Sequence, residues 1–176
     1  MKIPTVTTAR LNLRPFTLSD VDPLHRILAV EGVLRYFPTP DPPERDRVER
    51  LIAHQIEHWE EHEYGWWAVE LRESGALLGW NGLQFLPETE ETEVGYLLAK
   101  PFWGQGLATE GAQASVQYGF EHLGLATIIG ITHPENVVSQ HVLEKVGMTL
   151  TGPAHYFGMD CLHFSMDRPP LEAGES

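Results

Sequence analysis

The stretch from Glu93 to Glu110 constrains the fold more than any other part of the chain. Glu93-Val94-Gly95-Tyr96-Leu97-Leu98-Ala99 reads as a strand, Gly104 and Gly106 sit in the turn that follows, and a helix opens at once over Ala108 to His122. Glycines let backbone N–H groups converge on a ligand, and the helix start adds partial positive charge, so the arrangement suits an anion. Two phosphate-binding patterns fail on residues. A P-loop ends in Gly-Lys-Ser/Thr, which is missing here. A dinucleotide fingerprint wants a glycine where Thr109 stands and an acid about 20 residues on, where Gly124-Leu125-Ala126 carries none.

The rest of the chain supplies the partners for this unit. Arg10 to Arg14 alternates polar and apolar, a half-buried strand ended by Pro15. Val21, Leu24, Ile27 and Leu28 mark a helix that Gly32 is expected to close, and a proline-stiffened loop follows through Tyr36 and Phe37. A second helix is predicted over Glu44 to Glu61. Trp66 to Leu71 and Ala76 to Phe85 read as a hairpin, with Pro87 to Thr92 as an acidic turn before the Glu93 strand. Ala126 to Thr132 is a short apolar strand. Glu135 to Lys145 is a helix with Val138, Val142 and Leu143 inward, stopped by Gly147. Strands near Met148–His155 and Cys161–Asp167 precede a loose tail. The order β-α-α-β-β-β-α-β-α-β-β is an α+β domain with a mixed sheet.

Composition narrows the partners. With 12 Lys+Arg against 25 Asp+Glu, the 176-residue chain carries −13, which argues against nucleic acid and leans toward a cationic partner. The one cysteine, Cys161, excludes an internal disulfide and a thiolate-rich zinc site. Charged and proline residues break up the first 16 positions, and no run reaches the ~18 apolar residues of a membrane helix, so a cytoplasmic protein without membrane contact is expected.

Trp103-Gly104-Gln105-Gly106-Leu107-Ala108 resembles the acyl-CoA pyrophosphate loop of the GCN5-related N-acetyltransferase (GNAT) superfamily, Gln/Arg-x-x-Gly-x-Gly/Ala. Trp103 replaces the usual Gln or Arg. That replacement is typical of the ribosomal-protein alanine N-acetyltransferase-like branch, whose Pro-x-Trp-Gly-x-Gly-x-Ala-Thr-Glu is matched from Pro101 to Glu110. Thr8 to Pro15, Leu78 to Leu83 and His133 to Met148 are similar to three further segments of that branch. The resemblance implies one GNAT domain over residues 1–168, with a tail at 169–176. It implies a mostly antiparallel sheet of about seven strands, splayed at the cofactor site and flanked by about four helices.

It also implies transfer of an acetyl group from acetyl-CoA to a primary amine by direct attack. Leu97 and Leu98 would pair with the pantetheine arm, the Leu98 N–H facing the developing oxyanion. Trp103, Gly104, Gln105, Gly106, Leu107, Ala108 and Thr109 would cradle the pyrophosphate. Asn136, otherwise an ordinary N-cap, would hold the arm, and Ser139, one turn on, would hydrogen-bond the sulfur. Glu93 is the first candidate for general base, set against the plain reading of Glu88, Glu90, Glu91 and Glu93 as a solvated charge run. Asp160 and His155 are weaker alternatives, and Tyr36 and Phe37 are candidates for the acceptor wall. The acceptor is expected to be a protein or peptide N-terminus or a small amine such as a polyamine, amino acid or antibiotic; a non-catalytic acyl-CoA-binding module and a monomer or homodimer stay open.

Two other patterns compete for chemistry. His54, Glu57 and His58 form a His-x-x-Glu-His string that could hold Zn²⁺, but His62 and flanking glutamates continue it as a polar helix stripe, so no metal is expected. Cys161 with His163 two residues on could form an acyl-enzyme, yet a lone strand cysteine is more often a small buried hydrophobe.

Overall fold

The computed structural model describes residues 2–170, in which four helices cover the two faces of an eight-stranded sheet. In chain order the elements are β1 (Val6–Thr7), β2 (Leu11–Arg14), α1 (Val21–Leu28), α2 (Arg45–His62), β3 (Trp66–Leu71), β4 (Leu77–Leu86), β5 (Glu91–Leu98), α3 (Leu107–Glu121), β6 (Thr127–Thr132), α4 (Val137–Val146), β7 (Thr149–Tyr156) and β8 (Met159–Asp167). Short 3-10 turns occupy Leu18–Asp20 and Lys100–Phe102. The strand order is β1-β2-β3-β4-β5-β6-β8-β7, antiparallel throughout except for β5 beside β6. The architecture is the mixed α+β sheet expected, with β1 added: two residues are too few to leave an alternation signal. Residues 171–176 of the expected tail lie outside the described residues.

Two apolar cores form on the faces of this sheet. Leu11, Leu13, Val69, Val94, Leu98, Ile128 and Phe164 meet α3 and α4 through Leu107, Val116, Phe120 and Leu143. Ala68, Trp80 and Leu97 meet α1 and α2 through Val21, Leu24, Leu28, Val48 and Ile52. Strand alternation does the sorting: Val94 and Leu98 go to one core, Leu97 to the other. Gly119 and Gly130 let helices approach closely, since a Cβ at either would strike leucine or isoleucine side chains from the opposing elements.

Some details differ from the sequence reading. Glu91 and Thr92 join β5, because the turn closes one step earlier with Glu90 in the left-handed region at φ 58°. Val138 is 74% exposed rather than inward. The first helix ends at Leu28, and Gly32 (φ 81°) lies in the turn beyond it. The sheet's outer strand β7 carries Pro153, which has no N–H to offer, and a register shift near Gly152.

A polar tie fastens the early strands to the turn before α1. Arg14 grips both oxygens of Asp20, at 2.9 and 2.8 Å, and Glu70 at 2.7 Å, joining β2, β3 and the turn before α1. Burial alone would raise the Asp20 carboxyl, but Arg14 and the Thr17 N–H outweigh it and hold it below the ordinary range.

The α2 histidines are accounted for structurally. His58 is buried; its Nδ1 faces the Tyr64 carbonyl at 2.8 Å, and its Nε2 accepts the Phe85 N–H at 3.3 Å. Both ring nitrogens are therefore used, and the accepting one requires the neutral ring. Burial pushes the His58 imidazole below its ordinary value, with His62 and His54 adding to the effect. No group of three or more potential ligands able to hold a metal ion occurs among the described residues. A depressed histidine stabilises the fold above the ordinary histidine range and loses that contribution as pH falls below about 6.5. Urea titrations of wild type and His58→Gln should therefore show a stability difference that shrinks from about pH 7 to about pH 5; a pH-independent difference would refute the neutral-ring assignment.

Candidate active site

Strands β5 and β6 meet at a single register position, Glu93 beside Ile129, whereas β5 pairs with β4 along its whole length. Beyond Glu93 the two neighbours diverge. Ala99 N–H donates to Leu78 O at 2.7 Å, so the ladder's alternation turns the N–H and C=O of Tyr96 and Leu98 toward the gap. The Leu98 carbonyl is then taken by the Trp103 indole N–H at 2.6 Å, which leaves the Leu98 N–H facing the opening. Gly79 sits where β4 shifts register against β3, at φ 147°, and any side chain there would run into the Leu97 carbonyl. The close approach of β4 to β5 at this point thus depends on a missing Cβ.

The turn after β5 is shaped by Gly104 and Gly106, both left-handed at φ 73° and 78°. The first main-chain bond of α3 is Glu110 N–H to Gly106 O at 3.0 Å. Among the described residues, none accepts a hydrogen bond from the backbone N–H groups of Gly104 through Thr109. Such a row of unsatisfied donors at the mouth of a helix is an anion cradle. Its rim is held by residues the sequence reading did not single out. Arg10 donates Nε to Glu110 at 2.7 Å and Nη1 to the Gln105 carbonyl at 2.8 Å, while Thr8 donates to Glu110 at 2.6 Å. The Glu110 carboxyl is held below the usual range, because these bonds outweigh the burial that would raise it.

Across the gap, α4 begins at Asn136, whose Oδ1 accepts the Ser139 N–H at 3.2 Å. Asn136 is therefore the N-cap, and its side-chain NH₂ has no partner among the described residues. The Ser139 hydroxyl lies 2.8 Å from the Tyr96 hydroxyl, which also reaches the Ser139 carbonyl at 3.2 Å. Tyr96 was missed as a site residue. Burial, with Glu93 adding and Ser139 opposing, lifts its hydroxyl well above the ordinary tyrosine range.

Glu93 lies on the opposite face of β5, the face of Leu97 and of α1 and α2. No hydrogen bond to its carboxylate is formed by the described residues, and burial alone pushes it up to about 8. The side chain still keeps partial surface exposure, as a carboxyl at the bottom of a cleft would. Trp66 stacks on Trp80 beside it (4.9 Å, 5°), Phe37 meets Trp80 edge-on at 6.0 Å, and Tyr36 packs on His133 at 5.2 Å. Phe37 thus stands on the same face as Glu93, with Tyr36 next to it against His133. Glu88 and Glu90 are exposed in the turn, so the acidic run divides, with Glu91 and Glu93 drawn into the strand.

Several other candidates are drawn away from this centre. Asp160 and His155 pair with one another at 3.2 Å, with side chains 97% and 66% exposed. Cys161 is buried, its thiol pushed up by burial, and it points at the carbonyls of Met159 and Tyr156 rather than at His163. A thiol so placed is a packing residue.

Comparison with known proteins fits this geometry. The family model for the acetyltransferase (GNAT) domain matches residues 10–149. An Aspergillus fumigatus FsC-acetyl coenzyme A-N(2)-transacetylase is 42% identical over 83 residues, which span 43% of this chain and 35% of that protein. The crystal structure of an Agrobacterium tumefaciens acetyltransferase superposes with a TM-score of 0.83 at 28% identity, covering 94% of this chain and 95% of that one. A ribosomal L7/L12 α-N-protein acetyltransferase solved with coenzyme A shares the fold at 17% identity, with a TM-score of 0.81 over 93% and 98% of the two chains. The parted strands, the amide cradle and the family match lead to one conclusion: this chain belongs to the GNAT acetyltransferase family.

Proposed function

We propose that the protein acetylates a primary amine from acetyl-CoA, and that its acceptor is the N-terminal amine of a protein or peptide. The observation that carries the enzymatic reading is the pairing of an open β5 edge with the unpartnered amides of Gly104 to Thr109. These residues fit acetyl-CoA: the cradle takes the pyrophosphate, and the backbone at Tyr96–Leu98 takes an extended amide-bearing arm. The Asn136 NH₂ is free to join it. The L7/L12 α-N-protein acetyltransferase among the fold neighbours supports a protein N-terminus as acceptor, and the charge of −13 suits its ammonium group.

In the reaction the amine nitrogen attacks the thioester carbon, the C–S bond breaks, and the ammonium proton must leave. Glu93 is the base on the acceptor face, acting directly or through water. The Leu98 N–H stabilises the oxyanion, a contribution that can reach ~10²–10³ in rate. Tyr96 holds the Ser139 hydroxyl, which hydrogen-bonds the departing sulfur.

Three expectations follow from these assignments. Acetyl-CoA offered with a panel of peptide N-termini and polyamines should give acetylated peptides by mass spectrometry; product only on polyamines would move the acceptor to the small-amine class, and none on any amine would end the enzymatic reading. The kcat should rise with pH through about 8, because the deprotonated Glu93 is the active form. Glu93→Gln should abolish this limb and slow the reaction by ~10²–10⁴; a limb that persists in the variant belongs to the acceptor amine and removes Glu93 as base. Finally, Arg10→Ala should weaken coenzyme A binding about tenfold, roughly 1.4 kcal/mol, by calorimetry. Unchanged affinity would mean the cradle holds its shape without the Arg10 clamp.

A further inference from the structure

The two carboxylate oxygens of Glu91, at the start of β5, hold two rings from the β7–β8 hairpin. The Tyr156 hydroxyl donates to Oε2 at 2.5 Å, and His163 Nε2 lies 3.3 Å from Oε1. The rings lie nearly parallel, with centroids 6.0 Å apart and planes at 24°. Pairing of β6 with β8 stops at Thr132–Leu162, while the hairpin continues to Tyr156–Met159. Tyr156 therefore belongs to the part of the hairpin beyond the end of β6. It reaches Glu91, at the opposite end of the parallel β5, only because the hairpin curls back across that face. Glu93 is the next residue on the same face.

Proton counting shows that the contact is polar and directional. Thr151 Oγ1 lies 3.0 Å from the His163 carbonyl and 2.6 Å from its Nδ1, and it has one proton to give. Donated to Nδ1, the shorter of the two contacts, that proton selects the tautomer with Nε2–H, which then donates to the Glu91 carboxylate. Burial would raise the Glu91 carboxyl, but Tyr156, Thr89 and His163 outweigh it and hold it below the ordinary range.

We propose that Glu91 is a positioning residue, which straps the β7–β8 hairpin across Glu93 and keeps that carboxyl out of bulk water. The inference rests on Glu93 as base and adds what sets the surroundings of that base. The titratable groups around Glu93 are Glu91 and Tyr96 on β5, Tyr156 on β7, and Cys161 and His163 on β8. Of these, only Glu91 ties one strand's ladder to the other's.

The test is carbon-13 carboxyl NMR of Glu93 across pH, in wild type, Glu91→Ala and Tyr156→Phe, beside kcat–pH profiles. Wild-type Glu93 should titrate near 8. In Glu91→Ala its midpoint should fall by about one pH unit or more as water enters, and in Tyr156→Phe by less. The kcat limb should move with it, while KM for acetyl-CoA stays put because the amide cradle is untouched. A Glu93 midpoint that stays put in folded Glu91→Ala, or that falls there but stays put in Tyr156→Phe, which keeps the neighbouring charge, overturns the proposal. Should Glu91→Ala fail to fold, Tyr156→Phe decides by the same criterion. A midpoint that falls in both variants while Glu93→Gln keeps its limb upholds the strap and rejects Glu93 as base.

Discussion

The parting of β5 from β6 is the constraint on which the rest of the molecule depends. A sheet gains by pairing every backbone group, and here a central strand gives up its neighbour after one register position. The loss is tolerable because each side is fastened elsewhere. On one side β5 is fully paired with β4, which approaches it closely at Gly79; on the other β6 is fully paired with β8. The Trp103 indole caps the Leu98 carbonyl that would otherwise stay open. The gap is then a built cleft with polar walls rather than a packing defect.

Charge is divided across the cleft in the same spirit. The chain is strongly acidic, yet its anion site is made from amide dipoles and two glycines, with the nearby Arg10 occupied by Glu110 and the Gln105 carbonyl. Dipoles fixed by the fold attract a phosphate at short range without making the surface basic. The opposite face gathers carboxylates and aromatic rings. Strand alternation keeps the two apart, because it turns Tyr96 and Glu93 to opposite sides of β5.

Much of this was legible in the residues and some was not. The strand, glycine turn and helix start around Gly104 and Gly106 could be read because they are local and leave a contiguous signal. Asn136 and Ser139 could be read as sharing one turn for the same reason. Arg10 gripping Glu110 across 100 residues, and Tyr96 touching Ser139 across 43, are tertiary contacts that no spacing rule encodes. The acidic run misled in a subtler way: it looked like one solvated edge, but the tight turn at Glu90 hands Glu91 and Glu93 to the strand. Val138 misled by helical period alone: it shares a face with Val142, but it sits in the first turn of α4 and is exposed there.

The sheet's edges carry a last consequence. At one end stands β1, a two-residue strand; at the other β7 presents Pro153 and an irregular register near Gly152. Neither offers a long, regular row of donors and acceptors to a passing chain. The extended main-chain edge left open is internal, along Tyr96 to Leu98, past the one register position that β5 shares with β6. The protein in effect practises strand addition inward: it withholds its backbone from other polypeptides and reserves it for a slender guest.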